Sequence, residues 1–290
     1  MDSKTAIRKT LTYSDIFQYP LTLDEIYRFL ITDRKYTKSI IAKALLSLDD
    51  IVKIGDYYAF KSKENVISLR ERKKAWNEEK IARAVSIAQK LCCIPSILFI
   101  GISGGVAMKN AGKNEDIDFF VITKKNTLWV SRLLLVLFLS FLGVLRKRST
   151  KRLQNTICLN MLIDETALLF PKERQDIYTA HEIVQMMPVF GRKDIYARFL
   201  QANIWIRECM PNSLSVKAII SITNNNFFED IFLWILSLSM LETLAKVIQI
   251  KYMKEHITKE TISATVIAFH PLDYRKKTLV QYKRKIKKYV

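Results

Sequence analysis

Cysteine is sparse, and its four positions form no framework. Cys92, Cys93, Cys158 and Cys209 share no repeated spacing, and the adjacent pair is not a CxxC half-site for zinc. They read as reduced thiols in apolar surroundings. The opening MDSKTAIRK lacks the apolar stretch of a secretory signal, so a cytoplasmic location is expected. No run reaches the roughly 20 apolar residues of a membrane span. Leu133 to Leu145 is bracketed by Arg132 and Arg146, and Ile231 to Leu241 by Asp230 and Glu242. Both are expected as buried helices, which leaves peripheral contact through a basic helical surface as the remaining membrane role. Internal repeats and low-complexity tracts are missing. His181 has no second histidine four residues away, so His181-Glu182 fits no helical metal motif; a helix-surface or capping role is expected. Acidic residues are outnumbered, 28 against 47 Lys and Arg, for a net charge of +19. That excess favours anionic partners, whether nucleic acid, nucleotide phosphates or an acidic membrane surface.

Nearly half of the 290 residues are apolar, enough for two domains or one large domain with an appendage. The first 66 residues read as three short helices and a hairpin. Thr22-Leu-Asp-Glu25 is a capping-box pattern that starts a helix, and Pro20 stops the one before it, near Phe17. After Thr37, the residues Ile41, Ala44, Leu45 and Leu48 form one apolar stripe at helical spacing. Ile51–Ile54 and Tyr57–Phe60 flank Gly55-Asp56, a two-residue turn suited to a hairpin. In this order the segment resembles a winged helix-turn-helix module. Arg34, Lys35, Lys38 and Lys43, near or in the third helix, would then contact nucleic acid, or else solvate an exposed face of a module that packs on a protein. A linker helix follows from Ser68 to Leu91, with Ile81, Val85, Ala88 and Leu91 along one side.

The informative stretch is ILFIGISGGVAMKNAGKNEDIDFFVI, Ile97 to Ile122. It reads as a strand, a glycine turn, a short helix from Val106, a polar loop and a second strand from Asp116. Side chains alternate along a strand, so Asp116 and Asp118 project from one face with Ile117 opposite. Two adjacent carboxylates repel, and a divalent cation relieves them: aspartate oxygens hold one or two Mg²⁺ while phosphates and water complete the shell. Without a Cβ at Gly104 and Gly105, backbone N–H groups can approach a triphosphate closely, and Ser103 can add a hydroxyl.

These residues resemble the nucleotidyltransferases of the DNA polymerase beta superfamily, especially the small stand-alone domains. That family's pattern is an apolar strand, a Gly-Ser turn opening a helix, and a strand bearing Asp-x-Asp about a dozen residues on. Gly104 precedes Asp116 by twelve positions. The resemblance spans about Ile97 to Ile163. It implies transfer of a nucleoside monophosphate from a nucleotide triphosphate such as ATP to a hydroxyl acceptor, with Asp116 and Asp118 as metal ligands and Ser103, Gly104 and Gly105 cradling the phosphates. Two positions depart from the pattern. Gly105 stands where the family has serine. The family's third carboxylate, on a later strand, falls on Ile157 to Ile163, whose centre offers the neutral Asn160; Asp164, at the strand's end, is the other candidate. A catalytically weak or inactive regulator on the same fold, which senses nucleotide without turnover and binds nucleic acid or a protein, is therefore the competing expectation.

Arg146, Lys147, Arg148, Lys151 and Arg152 either face the triphosphate or form a solvated loop. An amphipathic helix is expected from Asp194 to Met210, with Trp205 in the core. Phe227 to Met253 is apolar on most faces and is expected to be buried, against the catalytic domain or in a homo-oligomer contact. From Tyr274 onward there is no acidic residue; this basic tail is either solvated or follows the phosphates of a nucleic acid or another anionic surface. The expected architecture is a mixed-sheet α/β (α+β) fold: residues 1–66 winged-helix-like, 67–92 linker helix, 93–200 nucleotidyltransferase domain, and 201–290 a helical C-terminal region. The acceptor, protein, small molecule or RNA, is left open.

Overall fold

The computed structural model describes residues 1–61, 65–146, 153–192, 194–214, 239–254, 261–269 and 272–289. Most of the Ile231–Leu241 stretch, the 227–238 part of the long apolar segment, and Lys147, Arg148, Lys151 and Arg152 lie outside the described residues.

The N-terminal elements follow the expected order: α1 (Ser3–Asp15), a short β1 (Leu21–Thr22), α2 (Leu23–Arg28), α3 (Lys38–Leu46), β2 (Ile51–Ile54) and β3 (Tyr57–Phe60). Both halves of the capping box form at Thr22 and Glu25. Gly55, at φ +57°, takes the left-handed turn that lets β2 and β3 close as a hairpin. β1 adds to β3 to give a small antiparallel sheet, order β1-β3-β2. The stripe Ile41, Ala44, Leu45 and Leu48 is buried as its spacing predicts.

A single long helix, α4 (Asn65–Leu91), leads to the main sheet. Its buried stripe is Ala84, Ile87, Ala88 and Leu91, rotated from the predicted one, because Ile81 and Val85 only border the core. Next come β4 (Ile97–Ser103), α5 (Gly104–Ala107), β5 (Ile117–Thr123), α6 (Leu128–Phe141), β6 (Ile157–Asp164), α7 (Ile177–Gln185), β7 (Met187–Gly191) and α8 (Ile195–Ala202). A further helix α9 (Ser239–Lys254), strands β8 (Thr261–Ile262) and β9 (Val266–Ala268), and a last helix α10 (Leu272–Tyr289) complete the described chain. The sheet order is β7-β4-β5-β6-β9-β8; among the described residues β5 and β6 pair in parallel and the other neighbouring strands antiparallel. The expected mixed α/β fold is the one observed, but the C-terminal region is not purely helical: β9 extends the sheet beside β6.

Both faces of the sheet are covered, and the period of two along β5 sorts them. Ile117, Phe119 and Val121 point to a core shared with α4, α6 and α9, whereas Phe120 and Ile122 join a core with α7, α8 and the N-terminal helices. Asp118 belongs to the second face. The N-terminal module is joined to this side through a continuous core and specific contacts. Tyr13 stacks on His181 at 3.9 Å, Phe60 on Tyr289 at 4.1 Å, and the Thr32 N–H donates to the Cys209 carbonyl at 2.9 Å.

Other expectations need correction. α6 is apolar all round yet only one side is buried, with Leu137 and Phe141 exposed. α9 packs on α6 through Ala245, Gln249 and Met253 and leaves Met240, Leu244 and Tyr252 in the open. The predicted helix from Asp194 breaks at Asn203, whose side chain holds the Leu168 carbonyl and the Phe170 N–H; a 3₁₀ turn, Ile204–Glu208, follows. Trp205 is only partly buried and donates to Asn203. The basic tail forms the docked helix α10.

Candidate functional site

The glycine turn and the acid pair meet because β4 and β5 are antiparallel neighbours with Ser103 opposite Asp118. Gly104 takes φ +63°, and a Cβ placed there would come within 2.9 Å of Asp118 Oδ2. The carboxylate thus lies directly over the bend, which only glycine permits. Gly105 is glycine for a different reason: its Cβ would press on Ala111 at 3.3 Å, where the loop doubles back. α5 is a single turn, so its dipole adds little to a phosphate site.

The loop from Met108 to Asp116 is fixed by buried polar groups of α4. Asn77 donates to the Ala111 carbonyl at 2.9 Å and accepts from its N–H at 3.3 Å, and Lys80 donates to the Glu115 carbonyl. Both are almost wholly buried in a helix that otherwise presents charge to water. Burial pushes the Lys80 ammonium down, opposed by Glu115 and Asp116. These two residues hold the acid pair at its distance from the turn.

Asp116 immediately precedes β5, one residue earlier than the predicted strand start would have it inside. Its Oδ2 accepts from Arg146 at 2.6 Å. The basic cluster thus supplies one described cation to the site. Asp118 and Cys158 are register partners across the parallel β5/β6 pair. Ligand atoms of Asp116, Asp118 and Cys158 all lie within 4.8 Å of one another. Burial, then the charge of Asp116, raises the Asp118 carboxyl from 3.8 to about 7, against a hydrogen bond from Cys158 and the pull of Arg146. Burial first, with both acids behind it, pushes the Cys158 thiol far up. Cys158 is therefore no inert apolar thiol; it stands beside both acids.

The two candidates for a third position part company. The β5/β6 pairing runs Phe119–Leu159, then Phe120–Met161, so Asn160 is the extra residue of a bulge. Its amide donates to Ser103 Oγ at 3.4 Å. Asp164 pairs with Thr123, five residues along β5 from Asp118, and binds Thr166 N–H and hydroxyl at 2.9 and 2.5 Å. At about 3.3 Å per residue it lies some 16 Å from the acid pair and caps a turn instead.

A carboxylate that the sequence reading set aside lies nearer. Ser103 and Asn160 open onto a cavity of about 60 Å³ lined also by Tyr178, Glu182, Arg174 and Arg275. The surface or capping role expected for His181-Glu182 is overturned: His181 is 1% exposed beneath Tyr13, and Glu182 faces the cavity. Burial lowers His181 to about 3. Burial and then the charge of Asp118 raise Glu182 to about 7, against a hydrogen bond from Tyr178. At the rim, Arg174 donates to Thr261 Oγ1 at 2.9 Å and Arg275 Nε to Asp176 at 2.7 Å. Burial and the neighbouring Arg275 both depress Arg174. The helical period could have shown that Tyr178 and Glu182 share a face of α7, but nothing local shows that this face meets β5.

Among the described residues no helix is long and apolar enough to cross a membrane. No protein-family model, curated protein or solved structure matches the chain.

Proposed function

We propose that the chain is a metal-dependent nucleotidyltransferase whose centre is the Asp116–Asp118 pair over the Gly104 bend. The observation that carries this reading is the approach of Asp118 to Gly104, together with three ligand groups within 4.8 Å. Two carboxylates suit Mg²⁺, the expected ion; the thiol of Cys158 is a poor ligand for so hard a cation and would join the shell of a softer one. A bound divalent cation would neutralise phosphate charge at the α-phosphate and leaving pyrophosphate.

The protein's own groups supply the rest. Asp116 would hold the metal in place of its bond from Arg146, and that guanidinium would then be available to a phosphate oxygen. Ser103, steadied by Asn160, offers a hydroxyl beside the bend. Arg174 and Arg275 place positive charge at the cavity rim. Glu182, the third acid near the pair, would take a proton from an acceptor hydroxyl in the cavity it lines; a value near 7 suits a base at neutral pH.

Incubation with α-phosphate-labelled nucleotide triphosphates and Mg²⁺ tests the reading. Label transfer or pyrophosphate release that is lost in Asp116→Ala and in Asp118→Ala supports it. Tight nucleotide binding without turnover instead supports a sensor on the same fold, the alternative favoured by the absence of a carboxylate at Asn160.

A further inference from the structure

We propose that α10 is a binding surface for single-stranded nucleic acid, which leads a strand end to the cavity. Lys276, Lys277, Lys283, Arg284, Lys287 and Lys288 are exposed. At 100° per residue they fall on one arc of the helix, extending about 18 Å from first to last. The opposite arc is spent on packing: Thr278 and Tyr282 are buried, Tyr289 stacks on Phe60, and Lys285 pairs with Asp15. From Tyr274 onward the helix has no acid of its own to neutralise this face.

Tyr274 links the basic face to the cavity. It is 51% exposed in the first turn of α10 and meets Tyr178, a cavity residue, edge-on at 6.4 Å. An exposed ring beside a row of cations is the combination that holds a single strand, with a base stacked on the ring and phosphates along the row. A membrane surface fits less well. An interfacial helix needs its apolar face free for lipid, whereas that of α10 is docked, and only Val280 and Tyr274 interrupt the exposed side. The proposal supplies the acceptor for the reaction proposed above and depends on that reading only for this role; binding is measured without nucleotide or metal, so either can fail alone.

The test is fluorescence anisotropy of the full chain with labelled single-stranded RNA and DNA of about 20 nucleotides. Duplex of the same length and phosphatidylserine vesicles serve as competitors. Single strands should bind best, with affinity falling steeply with salt. The exposed-face variant Lys276→Gln/Lys277→Gln/Lys283→Gln/Arg284→Gln should keep the wild-type melting temperature and lower the salt slope by about 3, at roughly 0.7 per phosphate contact. Tyr274→Ala should weaken binding about tenfold with little change in slope. No binding at low salt, binding untouched by both variants, or preference for duplex or vesicles would overturn the proposal.

Discussion

Replacing Asp118 by asparagine should make the metal-free protein more stable at pH 8. Asp118 titrates near 7 in the folded chain against 3.8 as its ordinary value. The native state therefore holds a proton that the unfolded chain releases at lower pH. Stability present below about pH 4 is lost as pH rises through 7, and the full cost applies above it. At about 1.4 kcal/mol per pH unit the ceiling is about 4 kcal/mol. Asp118 is not wholly enclosed and Arg146 stands near, so screening should reduce this to about 1–2 kcal/mol. Asparagine keeps the shape and can still accept from Cys158, but carries no charge. For a chain of this size, roughly 2 °C per kcal/mol gives a rise in Tm of about 2–4 °C at pH 8, shrinking towards zero at pH 4. Differential scanning calorimetry across pH 4–8, in chelator, measures it. With Mg²⁺ the order should reverse, because only the wild type gains a bound ion. A destabilised Asp118→Asn at pH 8 in chelator would refute the reasoning, because it would make Asp118 a structural ion-pair member.

Three further outcomes follow from the same geometry. Gly104→Ala should lower stability by about 1–2 kcal/mol from its left-handed backbone and weaken Mn²⁺ binding at least tenfold by displacing the Asp118 carboxylate, as read by calorimetric titration. Asn77→Leu should cost about 1–2 kcal/mol in urea unfolding, because it strands the carbonyl of Ala111, whose N–H keeps its bond to the Gly105 carbonyl. Cys158→Ser should leave Mg²⁺-dependent turnover largely intact yet abolish the sulfur-to-metal absorption band that Cd²⁺ is expected to give with the wild type.

What was legible in the sequence is what short-range rules govern. The capping box at Thr22, the Gly55 turn and the Ile41–Leu48 stripe each depend on neighbours within a few residues. The meeting of Gly104 with Asp118 followed from a strand-turn-strand pattern of fixed length. What was missed depends on pairing between distant segments. The centre of the later strand pointed to Asn160, but nothing local could show that Cys158 would sit opposite Asp118, because parallel register is set by burial along the whole of β5 and β6. The bulge at Asn160 has no local marker such as glycine. Glu182 reads as a surface acid because its helix is amphipathic, and only the docking of Tyr13 on His181 shows that this part of α7 is enclosed. The two strands after α9 are too short to carry a period, and β9 is a strand because β6 offers it an edge.

The most direct measurement is a crystal structure with Mn²⁺ and a non-hydrolysable nucleotide triphosphate, phased on the anomalous signal of the metal. The account predicts a metal peak bonded to both Asp116 and Asp118, Arg146 turned from Asp116 towards phosphate, and the phosphate chain over Gly104. A nucleotide bound elsewhere, with Arg146 still on Asp116 and no metal between the two acids, would contradict it.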